Sequence, residues 1–434
     1  MSDHATARST AVSRRRFLAR AAAAFAAPAV VPAAAFGAND RIGIGAIGVG
    51  GRGSGHVRAF LGNRATRVMA VCDPQETKRQ AARKRVESRY AAERGQGTYK
   101  GCGAYSDFRD LVRREDIDAV VIASPEYWHA LHTVWSVRYR KDVYCEKAMT
   151  LTHYEGQQVV DAVRRQGRVF QLGTQQRSGR NFRFACELAR NGYLGALRRV
   201  EVGVPGGRAL PNVPPSSPPP GLDYDMWLGP APYTPCNKLK CSYNWYFIYD
   251  YCIGWIGSWG VHHIDIAQWG APSLVADRLE VQGTASIPAD GLGNTSTAWD
   301  VQMATPDGLV LHFTHNAKNP QGCRFVGEEG WVHVNRGGIR ARPASLLEVT
   351  LRPGEERLYR SHNHHANFLE CIRSRRDPVA PVEDGHRATT LTIVADIATR
   401  VGRKVTWDWK TQRFLDHEGA NRFLRRPMRS PWVL

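Results

Sequence analysis

The stretch RIGIGAIGVGGRGSGHVRAFLGN, residues 41 to 63, decides the fold. Arg41 to Ile47 form a short apolar run that reads as a buried strand. Gly48, Gly50 and Gly53 follow at G-x-G-x-x-G spacing, and residues 54 to 63 then read as a helix. Glycines so spaced allow a tight strand-to-helix turn and leave the first-turn amides open to an anion. The motif alone is weak, and its context decides. A strand precedes it, a helix follows it, and Asp73 closes the next strand, RVMAVCD, twenty residues beyond Gly53. That combination is the fingerprint of a dinucleotide-binding βαβ unit. Gly48, Gly50, Gly51 and Gly53 are expected at the pyrophosphate. Asp73 is expected at the adenosine ribose, where its charge accepts the hydroxyls and repels a 2′-phosphate, favouring NAD over NADP.

The same alternation continues outward from this unit. A charged helix at 76–94 precedes the strand DAVVIASP at 118–125, and the strand DVYCEK at 142–147 precedes a helix at 153–167 and the strand RVFQLG at 168–173. Strands and helices alternating at this spacing predict a parallel, doubly wound sheet over residues 39–175. The pattern changes after about residue 195. A strand at 200–204 leads into a loop rich in proline and glycine at 205–221, and several β-type runs lie between 274 and 351. These predict a second α/β domain, 176–434, with an open antiparallel sheet. Two amphipathic helices are read near the end, at 365–376 and about 383–402, the second placed to return against the first domain.

The chain of 434 residues suffices for two domains with cores of their own, and 43% hydrophobic with 23% charged residues excludes global disorder. The formal net charge is +19. Residues 1–38 hold five arginines and one aspartate, so removing their +4 leaves about +15. The remaining basic residues are dispersed without the aromatic interleaving of nucleic-acid readers, and no nucleic-acid partner is expected. Residues 8–38 read as an export signal. Arg14, Arg15 and Arg16 precede Phe17 and an alanine-rich run carrying Pro28 and Pro32, a poor spanning helix. The expectations are passage through the twin-arginine translocase, cleavage between about Ala33 and Ala38, and a periplasmic or otherwise exported protein with no permanent membrane span. The nine cysteines lack C-x-x-C spacing; Cys236 and Cys241 are close enough in sequence to pair after export.

Ligands of an open parallel sheet sit beyond the carboxyl ends of its strands. Ser124 with Pro125 and Glu146 with Lys147 end two such strands and face that position; for Glu146 and Lys147 an exposed ion pair is the competing reading. Gln175 and Arg177 lie just past the last parallel strand. A helix expected from Gly257 to Trp269 carries Ser258, His262 and Asp265 on one face, with no cluster placed to bind a metal. Trp227, Trp245, Tyr246 and Trp255 either stack on a ligand ring or fill the core.

These segments together resemble the Gfo/Idh/MocA oxidoreductases over residues 40 to 430. AIGVGGRG is similar to the family's cofactor loop. ASPEYWH, ending in His129, is similar to its T-P-x-x-x-H segment, CEKAMT to its E-K-P motif, and SWGVHHID to its D-x-G-x-H-x-x-D motif. DYDMWLGPAP and the segment from Glu383 to Lys404 resemble an exported bacterial subgroup. The resemblance implies that Lys147 is catalytic with His262 beside it. It also implies that Ser124, Pro125, His129 and Glu146 attend the cofactor NAD, and that Gln175, Arg177, Trp245 and Asp265 face the substrate. A carbohydrate substrate is implied, as is a homo-oligomer, dimer or tetramer, built on the open sheet. Net oxidation of a sugar, polyol or glycoside is the leading activity, with redox-neutral glycoside cleavage and a non-catalytic NAD-binding scaffold as alternatives. Two departures stand out. Ala148 replaces the usual proline of an often cis peptide, where a cis bond costs roughly 3 kcal/mol. Ser258 replaces the aspartate common in the dehydrogenases.

Overall fold

The computed structural model describes residues 41–95 and 97–434. The expected export signal therefore falls outside the described residues. The first sheet has six parallel strands in the order β3-β2-β1-β4-β5-β6. They are β1 (Ile42–Ile47), β2 (Thr66–Cys72), β3 (Gly103–Tyr105), β4 (Ala119–Ile122), β5 (Asp142–Cys145) and β6 (Phe170–Leu172). Every residue of β1, β4, β5 and β6 is buried, as covering both faces of a parallel sheet requires. Helices α1 (Gly51–Leu61), α2 (Glu76–Glu93), α3 (His129–Arg138) and α4 (His153–Arg165) connect the strands. Helix α4 opens with a reciprocal cap in which Thr152 accepts from the Glu155 amide and Glu155 reaches back.

The second sheet has nine strands in the order β13-β12-β11-β7-β10-β9-β8-β14-β15. After α5 (Arg180–Arg190) come β7 (Leu197–Val204), α6 (Gly260–Gly270), β8 (Arg278–Ser286), β9 (Ala298–Ala304), β10 (Val310–His315), β11 (Gly322–Gly327), β12 (Trp331–Asn335) and β13 (Gly338–Arg342). Then follow α7 (His364–Ser374), α8 (Val382–Val401), β14 (Val405–Asp408) and β15 (Arg413–Phe414). The antiparallel expectation holds for every pair except β7 with β10, which run parallel. After α6 the chain enters at β8, and the antiparallel run β8–β9–β10 then brings β10 beside β7, so the parallel pair is joined by a long connection.

Two helix expectations change in the structure. The helix expected at 257–269 is two pieces, Trp255–Ser258 and α6, and all eleven residues of α6 are buried. Gly260 allows the close approach: a Cβ there would lie 2.7 Å from the Phe313 ring. Helix α8 is not amphipathic but buried over most of its length. It lies between α4, α6 and β8. Thr389 Oγ1 accepts from the Met149 amide at 3.2 Å, and Thr390 Oγ1 meets His153 Nδ1 at 3.0 Å. Packed on several sides, α8 keeps solvent contact mainly at Arg387 and its half-buried ends.

Burial also governs the histidines. It is the leading cause that pushes His153 and His263 down to about 3 and His364, His365 and His386 to about 4. The fold keeps these rings neutral, whereas the unfolded chain protonates them below about 6.5. Their contribution to stability is therefore complete above pH 6.5 and is lost as pH falls from 6.5 towards 4. The melting temperature should drop steadily between pH 7 and 4.5, with uptake of several protons on unfolding. A flat calorimetric profile over that window would mean that the rings are already charged in the fold.

Candidate active site

A cavity of about 1460 Å³ opens at the carboxyl ends of β1, β2, β4 and β5. Gly48, Gly50, Gly51, Asp73, Ser124, Pro125, Glu146, Lys147, Gln175, Trp245 and His262 all line it. From β2 to β5 is three interstrand steps, about 14 Å. The cavity therefore has a nucleotide end at Asp73 and a chemical end at Lys147.

The nucleotide end suits a dinucleotide on three observations. Gly48 has φ 77°, and a Cβ there would lie 2.5 Å from the Ser124 amide. A Cβ on Gly53 would lie 1.8 Å from the Gly48 carbonyl, so this glycine seats α1 against the strand turn rather than facing the ligand. Around Gly51 no atom lies within 4 Å of that position, and the first turn of α1 has neither an acidic residue nor a side-chain cap. Its free amides thus face the cavity as a pyrophosphate requires. Asp73 Oδ2 accepts from the Val49 amide and Oδ1 from the Gln75 amide, both at 3.0 Å, which fixes the carboxylate and leaves further lone pairs for ribose hydroxyls. Burial raises the Asp73 pKa against those amides and the charges of Lys78 and Arg79.

At the other end Glu146 is buried, and its Oε1 takes three donors: Arg52 Nε at 2.9 Å, His56 Nε2 at 2.8 Å and Gln175 Nε2 at 2.9 Å. Burial opposes its ionisation, but His56, Arg52 and Lys147 hold the carboxyl well below the usual range. Glu146 is therefore a fixed anion that ties α1 to the end of β5. Lys147 donates from Nζ to Ser258 Oγ at 2.8 Å and lies 5.5 Å from the Tyr246 ring. The Lys147–Ala148 peptide is cis. His262 lines the same end, its Nδ1 buried without a hydrogen-bond partner among the described residues. Burial, with the Lys147 and Arg336 charges, keeps its ring neutral.

Four expected site residues lie outside the cavity lining: Gly53, which seats α1, and His129, Arg177 and Asp265. His129 puts Nδ1 2.7 Å from the Ala148 carbonyl and Nε2 2.9 Å from the Ser124 carbonyl, so it links the ends of β4 and β5 from behind. Arg177 is buried in a two-pronged pair with Asp265, at 2.8 and 2.7 Å, and bonds Asp384 at 2.6 Å. A buried guanidinium needs such partners, and these join the turn after β6 to α6 and α8 rather than meeting a substrate. Trp227, Trp245 and Tyr246 line the cavity; Trp255 instead packs its ring 5.3 Å from Phe247. The Cys236 and Cys241 sulfurs are free thiols 4.0 Å apart. Sequence reasoning missed His56, Lys78, Trp259 and Arg336. His56 had a signal, since it follows Arg52 by four residues and shares its helix face. Arg336 had none, because it comes from a turn in the second sheet.

Asp73 and Lys78 both line the nucleotide end. The wild type should bind NAD⁺ more tightly than NADP⁺, and Asp73→Ala should narrow or reverse that gap by leaving Lys78 to meet a 2′-phosphate. Dissociation constants from calorimetric titration decide this, and equal wild-type affinities would defeat it.

Comparison with known proteins now adds to the geometry. Among solved structures, the WlbA dehydrogenase from Bordetella pertussis, in complex with NADH and UDP-GlcNAcA, superposes with TM-score 0.59 at 17% identity. The match covers 84% of this chain and 98% of that one. Aldose-aldose oxidoreductase from Caulobacter crescentus, complexed with glycerol, superposes with TM-score 0.60 at 19% identity, covering 84% and 99%. At these identities the likeness is one of fold. Among curated relatives, a glycosyl hydrolase family 109 protein of Shewanella pealeana is 30% identical over 162 residues, 37% of this chain and 35% of its own length. An alpha-N-acetylgalactosaminidase of Shewanella oneidensis is 28% identical over 158 residues, 36% and 34%. The chain thus spans about a third of the length of the curated relatives it matches. Residues 42–174 match the oxidoreductase family's NAD-binding Rossmann fold, and residues 207–434 match its C-terminal alpha/beta domain. With both domains matched in order, the chain belongs to the Gfo/Idh/MocA oxidoreductase family.

Proposed function

We propose that this protein is an exported, NAD-dependent oxidoreductase acting on a hydroxyl of a sugar, polyol or glycoside. The observation that carries the reading is Lys147: it stands at the end of β5, 2.8 Å from Ser258 Oγ, in one cavity with the glycine loop and His262. When bound, NAD supplies a hydride acceptor and donor at its nicotinamide ring. With NAD bound, Lys147 as its free amine would take the substrate hydroxyl proton during oxidation and would return it in the reverse direction. Ser258 Oγ accepts a hydrogen bond from Lys147 Nζ and holds that nitrogen in place. His262, kept neutral by burial and by two nearby cations, orients the hydroxyl by a hydrogen bond and leaves proton transfer to Lys147. Trp245 and Tyr246 offer apolar faces to a sugar ring.

A redox-neutral glycoside hydrolase is the second reading. The relatives named as family 109 hydrolases favour it, as does a serine at 258, which cannot act as a carboxylate partner to His262. In that reading the sugar is oxidised, eliminates its aglycone, takes up water and is reduced again, so substrate and product share one oxidation state. Product analysis by mass spectrometry on a panel of sugars and glycosides separates the two readings. A protein that binds NAD and turns over nothing would instead be a scaffold. We also place the working unit as a homo-oligomer. On β8 alternate residues Arg278, Glu280 and Gln282 are exposed, so the outer sheet face is open to a second copy.

Lys147→Ala should keep NAD binding and the melting temperature but lose turnover by about 100-fold or more, the scale of a lost acid–base group. His262→Ala should lose turnover less severely. If Lys147→Ala stays within a few-fold of wild type, the lysine is only an ion-pair partner.

Export bears on the cofactor as well. The twin-arginine pattern implies that the chain folds around NAD before leaving the cytoplasm, and free NAD outside is scarce. Useful catalysis there needs slow cofactor release and regeneration in place. Protein purified without added cofactor should carry NAD through desalting and hours of dilution, measured as nucleotide released on denaturation. An empty, rapidly exchanging site would count against an exported enzyme.

A further inference from the structure

Arg336 lines the cavity as an exposed side chain and, among the described residues, pairs with no carboxylate. It lies in the two-residue turn that joins Asn335 of β12 to Gly338 of β13, and reaches the chemical end from the second sheet. Among the described residues its guanidinium makes no hydrogen bond or ion pair. It stacks on Trp259 instead, 4.9 Å from the ring centroid, and the Trp259 ring in turn lies 5.7 Å from that of His262.

The charge around it is unbalanced. Among the described residues, two carboxylates, Asp73 and Glu146, line the cavity. Asp73 is at the nucleotide end, three strands from β5. Glu146 Oε1 already accepts from Arg52, His56 and Gln175, and no hydrogen bond joins Glu146 to Arg336 among the described residues. Burial and the nearby Arg52 charge lower the Arg336 pKa against the pull of Glu146. A guanidinium held by one flat face on an aromatic ring still presents its planar fork of N–H donors at the edge, the geometry that suits a two-oxygen anion.

We infer that Arg336 recognises an anionic substituent on the substrate, a carboxylate, phosphate or sulfate carried by the sugar whose hydroxyl meets Lys147. This rests on the sugar-oxidoreductase reading and narrows it: the substrate is an acidic sugar, not a neutral one. The recognised group sits on the Trp259 side, beside His262, and its charge offsets the surplus of cations at this end.

The test uses full-length NAD-loaded protein with glucose, glucuronate, glucose 6-phosphate and glucose 6-sulfate, and the matching galactose set. Binding is followed by calorimetric titration and turnover by product analysis. At least one anionic sugar should bind about tenfold or more tighter than its neutral parent, as a charge-assisted contact implies. Arg336→Ala should abolish that preference while leaving NAD affinity within a few-fold, and Arg336→Lys should restore part of it. The three charged sets show which oxyanion is the source. Neutral sugars binding as well as charged ones would overturn the inference. So would an Arg336→Ala variant that loses NAD affinity tenfold with its sugar preference intact, since the arginine would then serve the cofactor. If the acidic sugars bind through Arg336 but none is turned over, the oxidoreductase reading fails while the recognition site stands.

Discussion

The structure depends on one buried charge. Glu146 sits at the carboxyl end of β5, where its carboxylate is held by Arg52 and His56 from α1 and by Gln175 from the turn after β6. A buried carboxylate without such donors would cost several kcal/mol. Satisfying it joins the glycine-loop helix, a central strand and the turn at the edge of the sheet. The same network leaves the next residue free. Lys147 turns to Ser258 of the second domain, so a hydrogen bond from the end of β5 joins the two domains there.

The second domain contributes more than a wall. Ser258, His262, Trp259 and Arg336 all reach the chemical end from it, on the short helix before α6, on α6 itself and on the β12–β13 turn. Helix α6 can be placed this closely because it is buried on every side and Gly260 admits the Phe313 ring. Behind it the Arg177–Asp265–Asp384 cluster locks α6 to α8 and to the turn carrying Gln175. Groups read from the sequence as substrate contacts are thus the struts that set the distance between Lys147 and His262. Replacing them would disturb the site without touching a ligand.

Local pattern determined much of this protein. The parallel sheet was legible because a strand buried on both faces must be a continuous apolar run, as β1 and β4 are. The glycine loop was legible because only glycine tolerates the positive φ of Gly48 and the contact at Gly53. Asp73, Ser124, Pro125, Glu146 and Lys147 were legible because strand ends in such a sheet converge on the ligand.

Tertiary structure alone decided the rest, because it depends on residues far apart in sequence. A charged side chain carries no mark of whether it will meet a ligand or another charge. Arg177 became a strut because Asp265, 88 residues away, lies beside it in the fold. His129 became a clamp because the Ser124 and Ala148 carbonyls come together on its two ring nitrogens. Arg336 became a cavity residue because the β12–β13 turn reaches the cavity from a distant part of the sequence. The sequence by itself determined which elements form and where the cofactor edge lies, since those follow from periodicity and backbone sterics. Which polar side chains stay free for chemistry was settled only by the packing of the two domains, since a buried charge is taken by whichever partner the fold brings within hydrogen-bond reach.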